Sequence, residues 1–317
     1  MSLEKILAAA EVIDPVFLDS PQFEDEALSA ALGCSLTLKL ETANPIRSFK
    51  GRGASCVLDR LVAAGDDRPV VCASAGNFGQ AMAWACRHHG RSLTIFAATT
   101  ANPIKLERMR ALGADLRLDG EDFDAAKAAA RAYADSIGGF LVEDGREPAI
   151  SEGAGTIAVE LLAGDALFDA ILLPLGNGAL ATGVGRWLKA ASPATRVLAV
   201  SSAGADAMER SWRGGSVVET ASVATIADGI AVRVPIPEAV DDMRGLIDDV
   251  ILVEDEVIER AMRLLFETAG LVVEPAGAVG VAAILATPER FADRHVATVL
   301  CGSHLTAENA RRWLITP

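Results

Sequence analysis

The sequence predicts an α/β protein built on doubly wound, mostly parallel sheets. Two observations carry this. Short apolar runs of five to seven residues alternate with longer amphipathic segments along the chain, which is the β-then-α rhythm of parallel sheets. Glycine-bearing turns also follow the apolar runs at 74–76, 176–178 and 302, and ligands of such sheets sit beyond the carboxyl ends of the strands. With 317 residues, 51% of them hydrophobic, the chain is long enough for one large domain or two smaller lobes around a sizeable core.

The elements follow in order. The first expected strand is LTLKL, 36–40. A helix over 49–64 comes next, because Ala54, Val57, Leu58, Leu61 and Val62 recur at helical spacing; Ser48 is its expected N-cap. PVVCAS (69–74) is a strand, and a Ser-Ala-Gly-Asn turn leads from it into a helix over 77–89. LTIFAA (93–98) and ADLRLD (114–119) are strands, with a helix at 103–112 between them. The alanine-rich stretch 123–136 lies in an expected helix, 122–137, and reads as a surface helix rather than a low-complexity tract. A helix at 151–164 precedes the strand DAILLPL (169–175), a glycine loop and a helix at 179–191. Strands RVLAVS (196–201), VILVE (250–254) and VATVLC (296–301) complete the set, with helices at 254–269, 276–286 and 306–314. No internal repeat or linker is visible.

Composition excludes several classes. The formal net charge is −14 and no basic run stands out, so no nucleic-acid partner is expected. No apolar run approaches the roughly 20 residues of a membrane span, and the amino terminus lacks a signal-peptide pattern. The five cysteines, Cys34, Cys56, Cys72, Cys86 and Cys301, show no metal-type spacing. They read as buried free thiols, and the expected location is the cytoplasm.

One lysine is out of place. Lys50 falls in the first turn of its helix, where the macrodipole disfavours a cation. Gly51 and Gly53 weaken the same turn by roughly 1 kcal/mol each relative to alanine. Three loops suggest a reason. CASAGNFG (72–79) offers backbone N–H groups, Ser74 and Asn77 to an anion at a helix N-terminus. PLGNGALATG (174–183) lets the backbone approach a phosphate, and it is neither a dinucleotide fingerprint nor a Walker loop. VLCGSHLT (299–306) brings Cys301 to the end of a buried strand. Taken singly, each has an ordinary reading: a solvated lysine, a capped turn, a glycine turn, a core cysteine. Taken together they describe one ligand. A neutral amine forms a Schiff base with an aldehyde, and an aldehyde cofactor bearing one phosphate is pyridoxal 5'-phosphate. Gly51 and Gly53 are then expected to leave room around the bond.

These segments resemble the fold-type-II pyridoxal-phosphate enzymes, and within them the serine/threonine dehydratases. The likeness runs in order from about residue 36 to 306: SFKGRGA (48–54), SAGNFGQA (74–81), GAGTIAVEL (153–161), PLGNGALATG (174–183), TIADGIAV (225–232) and EPAGAVGVAA (274–283). The resemblance implies a two-lobed fold of the tryptophan synthase β type. Residues 1–41 and 143–317 would form the large lobe and 42–142 the small one, with the cofactor between them. It implies that Lys50 binds the cofactor and moves the α-proton, and that Phe49 packs beside the ring. Ser74, Ala75, Gly76 and Asn77 would grip the substrate carboxylate, with Asn77 also at the ring hydroxyl. Gly176, Asn177, Gly178, Ala179 and Leu180 would hold the phosphate by their backbone. Cys301 would sit at the pyridine nitrogen as a neutral partner, which favours loss of a β-leaving group over transamination. A homodimer is usual in the family.

The chain departs from the pattern at several places. Ala75 stands where serine racemases carry a second base. Phe78 replaces a common histidine, and Asn177 and Ala179 replace glycines. Arg47 replaces a small residue; it reads either as solvated or as greeting an acidic substrate such as 3-hydroxyaspartate. Ser201 stands where relatives with a metal site have a glutamate, Asp206 reads as a surface acid, and no metal is expected. His304 reads as a loop or surface histidine. The chain ends soon after these segments, which implies a short form without the regulatory domain of biosynthetic threonine dehydratases.

The expected activity is therefore a lyase: β-elimination of L-threonine or L-serine to a 2-oxo acid and ammonia. The alternatives are a replacement enzyme of threonine- or cysteine-synthase type, a dehydratase for 3-hydroxyaspartate, and a non-catalytic cofactor- and amino-acid-binding protein.

Overall fold

A computed structural model describes residues 1–101, 103–164 and 167–315. Of the expected lobe ranges, residues 102, 165, 166, 316 and 317 lie outside the described residues. The strands are β1 (Gln22–Glu24), β2 (Ser35–Leu40), β3 (Val70–Ala73), β4 (Leu93–Ala97), β5 (Asp115–Leu118), β6 (Phe140–Val142), β7 (Ala170–Pro174), β8 (Arg196–Ser202), β9 (Asp249–Val253) and β10 (His295–Leu300). They form two sheets. One has six strands in the order β1-β2-β10-β7-β8-β9; the other has four, in the order β5-β4-β3-β6. Every pairing is parallel except β1 with β2, where Gln22 faces Lys39.

The helices are α1 (Leu3–Val12), α2 (Glu26–Leu32), α3 (Lys50–Ala63), α4 (Asn77–His88), α5 (Pro103–Ala111), α6 (Phe123–Ile137), α7 (Pro148–Leu161), α8 (Ala179–Ala191), α9 (Ala207–Gly214), α10 (Pro237–Asp242), α11 (Asp255–Ala269), α12 (Pro275–Ala286) and α13 (Ala307–Ala310). α12 is apolar all round and buried, as such a helix must be. It packs against β7, β8, β9 and β10. α7 lies against α1, α3 and α8, and so joins the core of the six-stranded sheet to that of the four-stranded one.

The strand–helix alternation was legible in the sequence. Several elements were not: α1, α2, α9, α10 and the short strands β1 and β6. Three-residue strands carry no readable period. The helix expected at 151–164 begins earlier, at Pro148, where proline suits the first turn. The segment 306–314 is one turn of α-helix followed by a π-helical turn, Arg311–Ile315. The alanine-rich α6 buries Ala126, Ala130 and Ala134 against Val71 and Phe96, so its small side chains form a packing stripe.

A buried ion cluster fixes the start of α3. Arg52 is fully buried and forks onto two carboxylates. Its Nε and Nη2 donate to Glu41 (2.8 Å each), and Nη1 and Nη2 donate to Glu160 (2.6 and 2.9 Å). Thr156 Oγ1 accepts from Nη1 at 2.9 Å, and Lys39 Nζ donates to Glu160 at 2.6 Å. Burial opposes both charged forms, but each carboxylate holds the guanidinium charged and Arg52 in turn holds Glu160 below the usual carboxylate range. The cluster ties α3 to the end of β2 and to α7. Arg52→Ala leaves Glu41 buried without its partner, so urea unfolding should show a loss of about 3–5 kcal/mol. A loss below about 1 kcal/mol would mean that Glu41 finds another cation.

Candidate active site

Lys50 is the first residue of α3. Phe49 occupies the cap position, with no side chain capping the helix. Ser48, expected as the N-cap, stands one residue further out, though its Oγ accepts the Lys50 N–H at 3.3 Å. Ser48 bridges to Gly302, and the Phe49 N–H donates to the Cys301 carbonyl at 3.2 Å. The lysine turn and the 301–304 turn are thus one unit. Gly51 and Gly53 serve packing rather than open space. A Cβ at Gly51 would fall 2.5 Å from the Phe17 ring, and one at Gly53 would fall 2.8 Å from the Ile150 backbone.

The Lys50 amine donates to Asp144 Oδ2 at 2.6 Å. It lies 4.7 Å from the Phe49 ring centroid and 6.0 Å from that of Phe78, so Phe78 is brought toward the lysine. Asp144 follows the short strand β6, and its other oxygen, Oδ1, is buried with no partner. Sequence spacing gave no link between positions 50 and 144. The Asp144 loop also touches the glycine loop: a Cβ at Gly145 would fall 2.8 Å from the Asn177 carbonyl oxygen.

That glycine loop, Gly176, Asn177 and Gly178, opens α8. Gly178 has φ 87°, a left-handed conformation that favours glycine. No side chain caps the helix, so the first-turn N–H groups at Ala179 and Leu180 are left to an external acceptor. A thirteen-residue helix with an uncapped start can hold an anion at its N-terminus.

On α4, Asn77 is the first residue. Its Nδ2 donates to Glu274 Oε1 at 2.7 Å, while its Oδ1 is buried and unpartnered. Ser74 builds the turn: its Oγ accepts from the N–H groups of Gly76 (3.2 Å) and Gly79 (2.9 Å). Ala75 and Gly76 are half-buried beside it. Glu274, at the start of α12, is the hub that the sequence reading missed. Its Oε2 accepts the His304 N–H at 3.0 Å. Burial raises its carboxyl to about 7; Lys105 opposes the shift and Asp228 adds to it. Lys105 itself is ion-paired with Asp228. A Cβ on Gly302 would fall 2.2 Å from Glu274 Oε1, so glycine is required where the 301–304 turn meets this carboxylate.

Cys301 is buried at the end of β10, and burial first, then Glu274, pushes its thiol far up, so it stays neutral. All five cysteines are buried and unbridged. His304, expected as a loop or surface histidine, lies in a loop and is buried. Its Nε2 meets the Ile46 carbonyl oxygen at 2.8 Å and Arg108 contacts its Nδ1. Burial lowers its pKa to about 4. Asp206 is partly exposed beside Arg210. Among the described residues no cluster of His, Cys, Asp or Glu could hold a metal, and no helix is long and apolar enough to cross a membrane.

The donor set fits pyridoxal phosphate. An amine, an uncapped helix start, a neutral thiol and two buried acceptors without donors, Asn77 Oδ1 and Asp144 Oδ1, occur in one set of contacting turns.

Comparison with known proteins agrees. A family model described as pyridoxal-phosphate dependent enzyme matches residues 13–302. L-threonine dehydratase biosynthetic IlvA of Bacillus subtilis is 31% identical over 308 residues, covering 96% of this chain and 73% of that protein. L-threonine ammonia-lyase of Thermotoga maritima is 32% identical over 305 residues, covering 96% and 76%. The Pasteurella multocida dehydratase, 31% identical, is spanned over only 60% of its length. Among solved structures, the processed form of threonine deaminase isoform 2 from Solanum lycopersicum superposes with a TM-score of 0.90 at 29% identity, covering 98% of this chain and 85% of that one. Maize serine racemase superposes with a TM-score of 0.90 at 27% identity, covering 98% and 96%. The chain belongs to the pyridoxal-phosphate dependent enzymes, and pyridoxal phosphate is its cofactor.

Glu274 gives the site a pH signature. Its carboxyl is raised from 4.5 to about 7 in the folded state. The stability it contributes is therefore fully present below pH 4.5 and is lost as pH rises through 7. Glu274→Gln cannot ionise. The unfolding free energy of the wild type, measured against this variant, should fall by roughly 3 kcal/mol between pH 4.5 and pH 8. A pH-independent difference would show that the Glu274 carboxyl titrates alike in the folded and the unfolded chain.

Proposed function

We propose that this chain catalyses the β-elimination of a 3-hydroxy amino acid, L-threonine or L-serine, to a 2-oxo acid and ammonia. The observation that carries the reading is the Lys50 amine beside a neutral Cys301 turn and an uncapped α8. The 31–32% identity of the dehydratase and ammonia-lyase relatives over 96% of the chain supports it.

When bound, the cofactor supplies an aldehyde for Lys50 and an electron sink that makes the α-hydrogen of an amino acid acidic. Lys50 Nζ holds and moves that proton as a general base. Asp144 is a positioning residue, whose carboxylate aims Nζ over the Phe49 ring. The N–H groups that open α8 bind the phosphate. Ser74, Ala75, Gly76 and Asn77 bind the substrate carboxylate at the start of α4, where the helix dipole favours an anion. Cys301, a thiol rather than a carboxylate, does not enforce a positive charge on a ring nitrogen, which favours expulsion of the β-hydroxyl. The division into a large lobe (1–41 and 143–317) and a small lobe (42–142), a homodimer and a cytoplasmic location complete the reading.

The test is 2-oxo acid and ammonia release by the cofactor-loaded protein from L-threonine, L-serine and 3-hydroxyaspartate. Equal amounts of the two products are expected, and Lys50→Ala should reduce release to background. Formation of a new amino acid in place of the oxo acid would overturn elimination in favour of replacement. Asp144→Asn should lower kcat by about 10- to 100-fold with little change in KM, because it misplaces the reacting amine rather than the substrate.

A further inference from the structure

A cavity of about 310 Å³ lies beside the lysine turn, lined in part by Ile46, Arg47, Gln80, Arg108 and Leu112. It is built from the elements of the site. Arg47 is three residues before Lys50. Gln80 is three residues after Asn77 on α4, and Arg108 holds His304, whose N–H donates to Glu274.

Its charged lining groups, Arg47 and Arg108, are both cations. Gln80 is 2% exposed, yet its Nε2 has no partner; a buried amide left unpaired is destabilising. Arg108 feels burial and the charge of Arg47, both of which lower its pKa, and no carboxylate offsets them. His304 does not neutralise the pair. A guanidinium can only donate, so Nδ1 accepts from Arg108 and the ring proton sits on Nε2, donated to the Ile46 carbonyl. Arg47 keeps a long side chain at φ 48°, a left-handed conformation that glycine would adopt without strain. Two arginines and a glutamine with an unpaired amide nitrogen line one cavity; such a set is complementary to an anion, and a planar one suits the guanidinium fork.

We propose that this cavity is a carboxylate-binding site, in which Arg47, Arg108 and the Gln80 amide donate to the bound group. The carboxylate has two chemical sources: the second carboxylate of a dicarboxylic 3-hydroxy amino acid, or a free dicarboxylate that binds beside the reacting centre. The first source rests on the lyase reading; the binding itself does not.

The experiment is calorimetric titration of succinate into the cofactor-loaded protein, alongside Arg47→Gly and Arg108→Met. Arg47→Gly removes the charge and relieves the left-handed strain, so its melting temperature should not fall. Its affinity for succinate should drop by about 10- to 100-fold, as for loss of a charge-assisted hydrogen bond. If the source is the substrate, succinate raises the KM for L-threonine without changing kcat. The wild type also prefers 3-hydroxyaspartate, and Arg47→Gly loses that preference. If the source is a separate ligand, succinate changes kcat at saturating threonine. Succinate binding without oxo acid from any substrate would support the site and sink only the lyase reading. Equal succinate affinity in the wild type and in Arg47→Gly would overturn the site, whatever the turnover.

Discussion

The structure depends on the buried guanidinium of Arg52. A fully buried cation is tolerated only with its charge matched and its N–H groups satisfied, and here Glu41, Glu160 and Thr156 do both. Those partners come from the end of β2 and from α7. The charge requirement therefore fixes α3 against both, and the amine two residues before Arg52 inherits that placement. Gly51 and Gly53 act in the same sense, because they let the turn close against Phe17 and Ile150. The helix start is rigid where its sequence, read alone, looked weak.

A second constraint couples the lysine turn to the rest of the site. The Ser48–Gly302 bridge and the Phe49–Cys301 bond join α3 to the end of β10. Glu274 then joins that turn to α4 through His304 and Asn77. A carboxyl that titrates near neutrality at such a junction ties the packing of three elements to one proton. The Lys105–Asp228 pair is adjacent enough to bias that proton, so the charges around Glu274 act as a set.

The segments of the candidate site were legible because each is local. SFKGRGA, SAGN and PLGNG are each contiguous, and each sits where a turn meets a helix. Asp144, Glu274 and Gln80 were not legible. Asp144 meets Lys50 across 94 residues, and Glu274 meets Asn77 across 197. The three-residue strand β6 that delivers Asp144 is too short to show a period. His304 lies in a loop, as expected, but its burial was not legible: a polar loop residue reads as exposed, and only the packing of Arg108 and Ile46 buries it.

The sequence by itself determined the strand–helix alternation, the lysine at a helix start, the glycine-bearing turns before helices and, through them, the cofactor. These depend on nearest neighbours, on period and on backbone chemistry, which a linear string contains. Only the tertiary structure decided which polar and charged groups meet: Lys50 with Asp144, Asn77 with Glu274, and Arg47 near Arg108 with no acid offsetting them. Burial and distance set the energy of a charge, and both are properties of the folded chain rather than of its order.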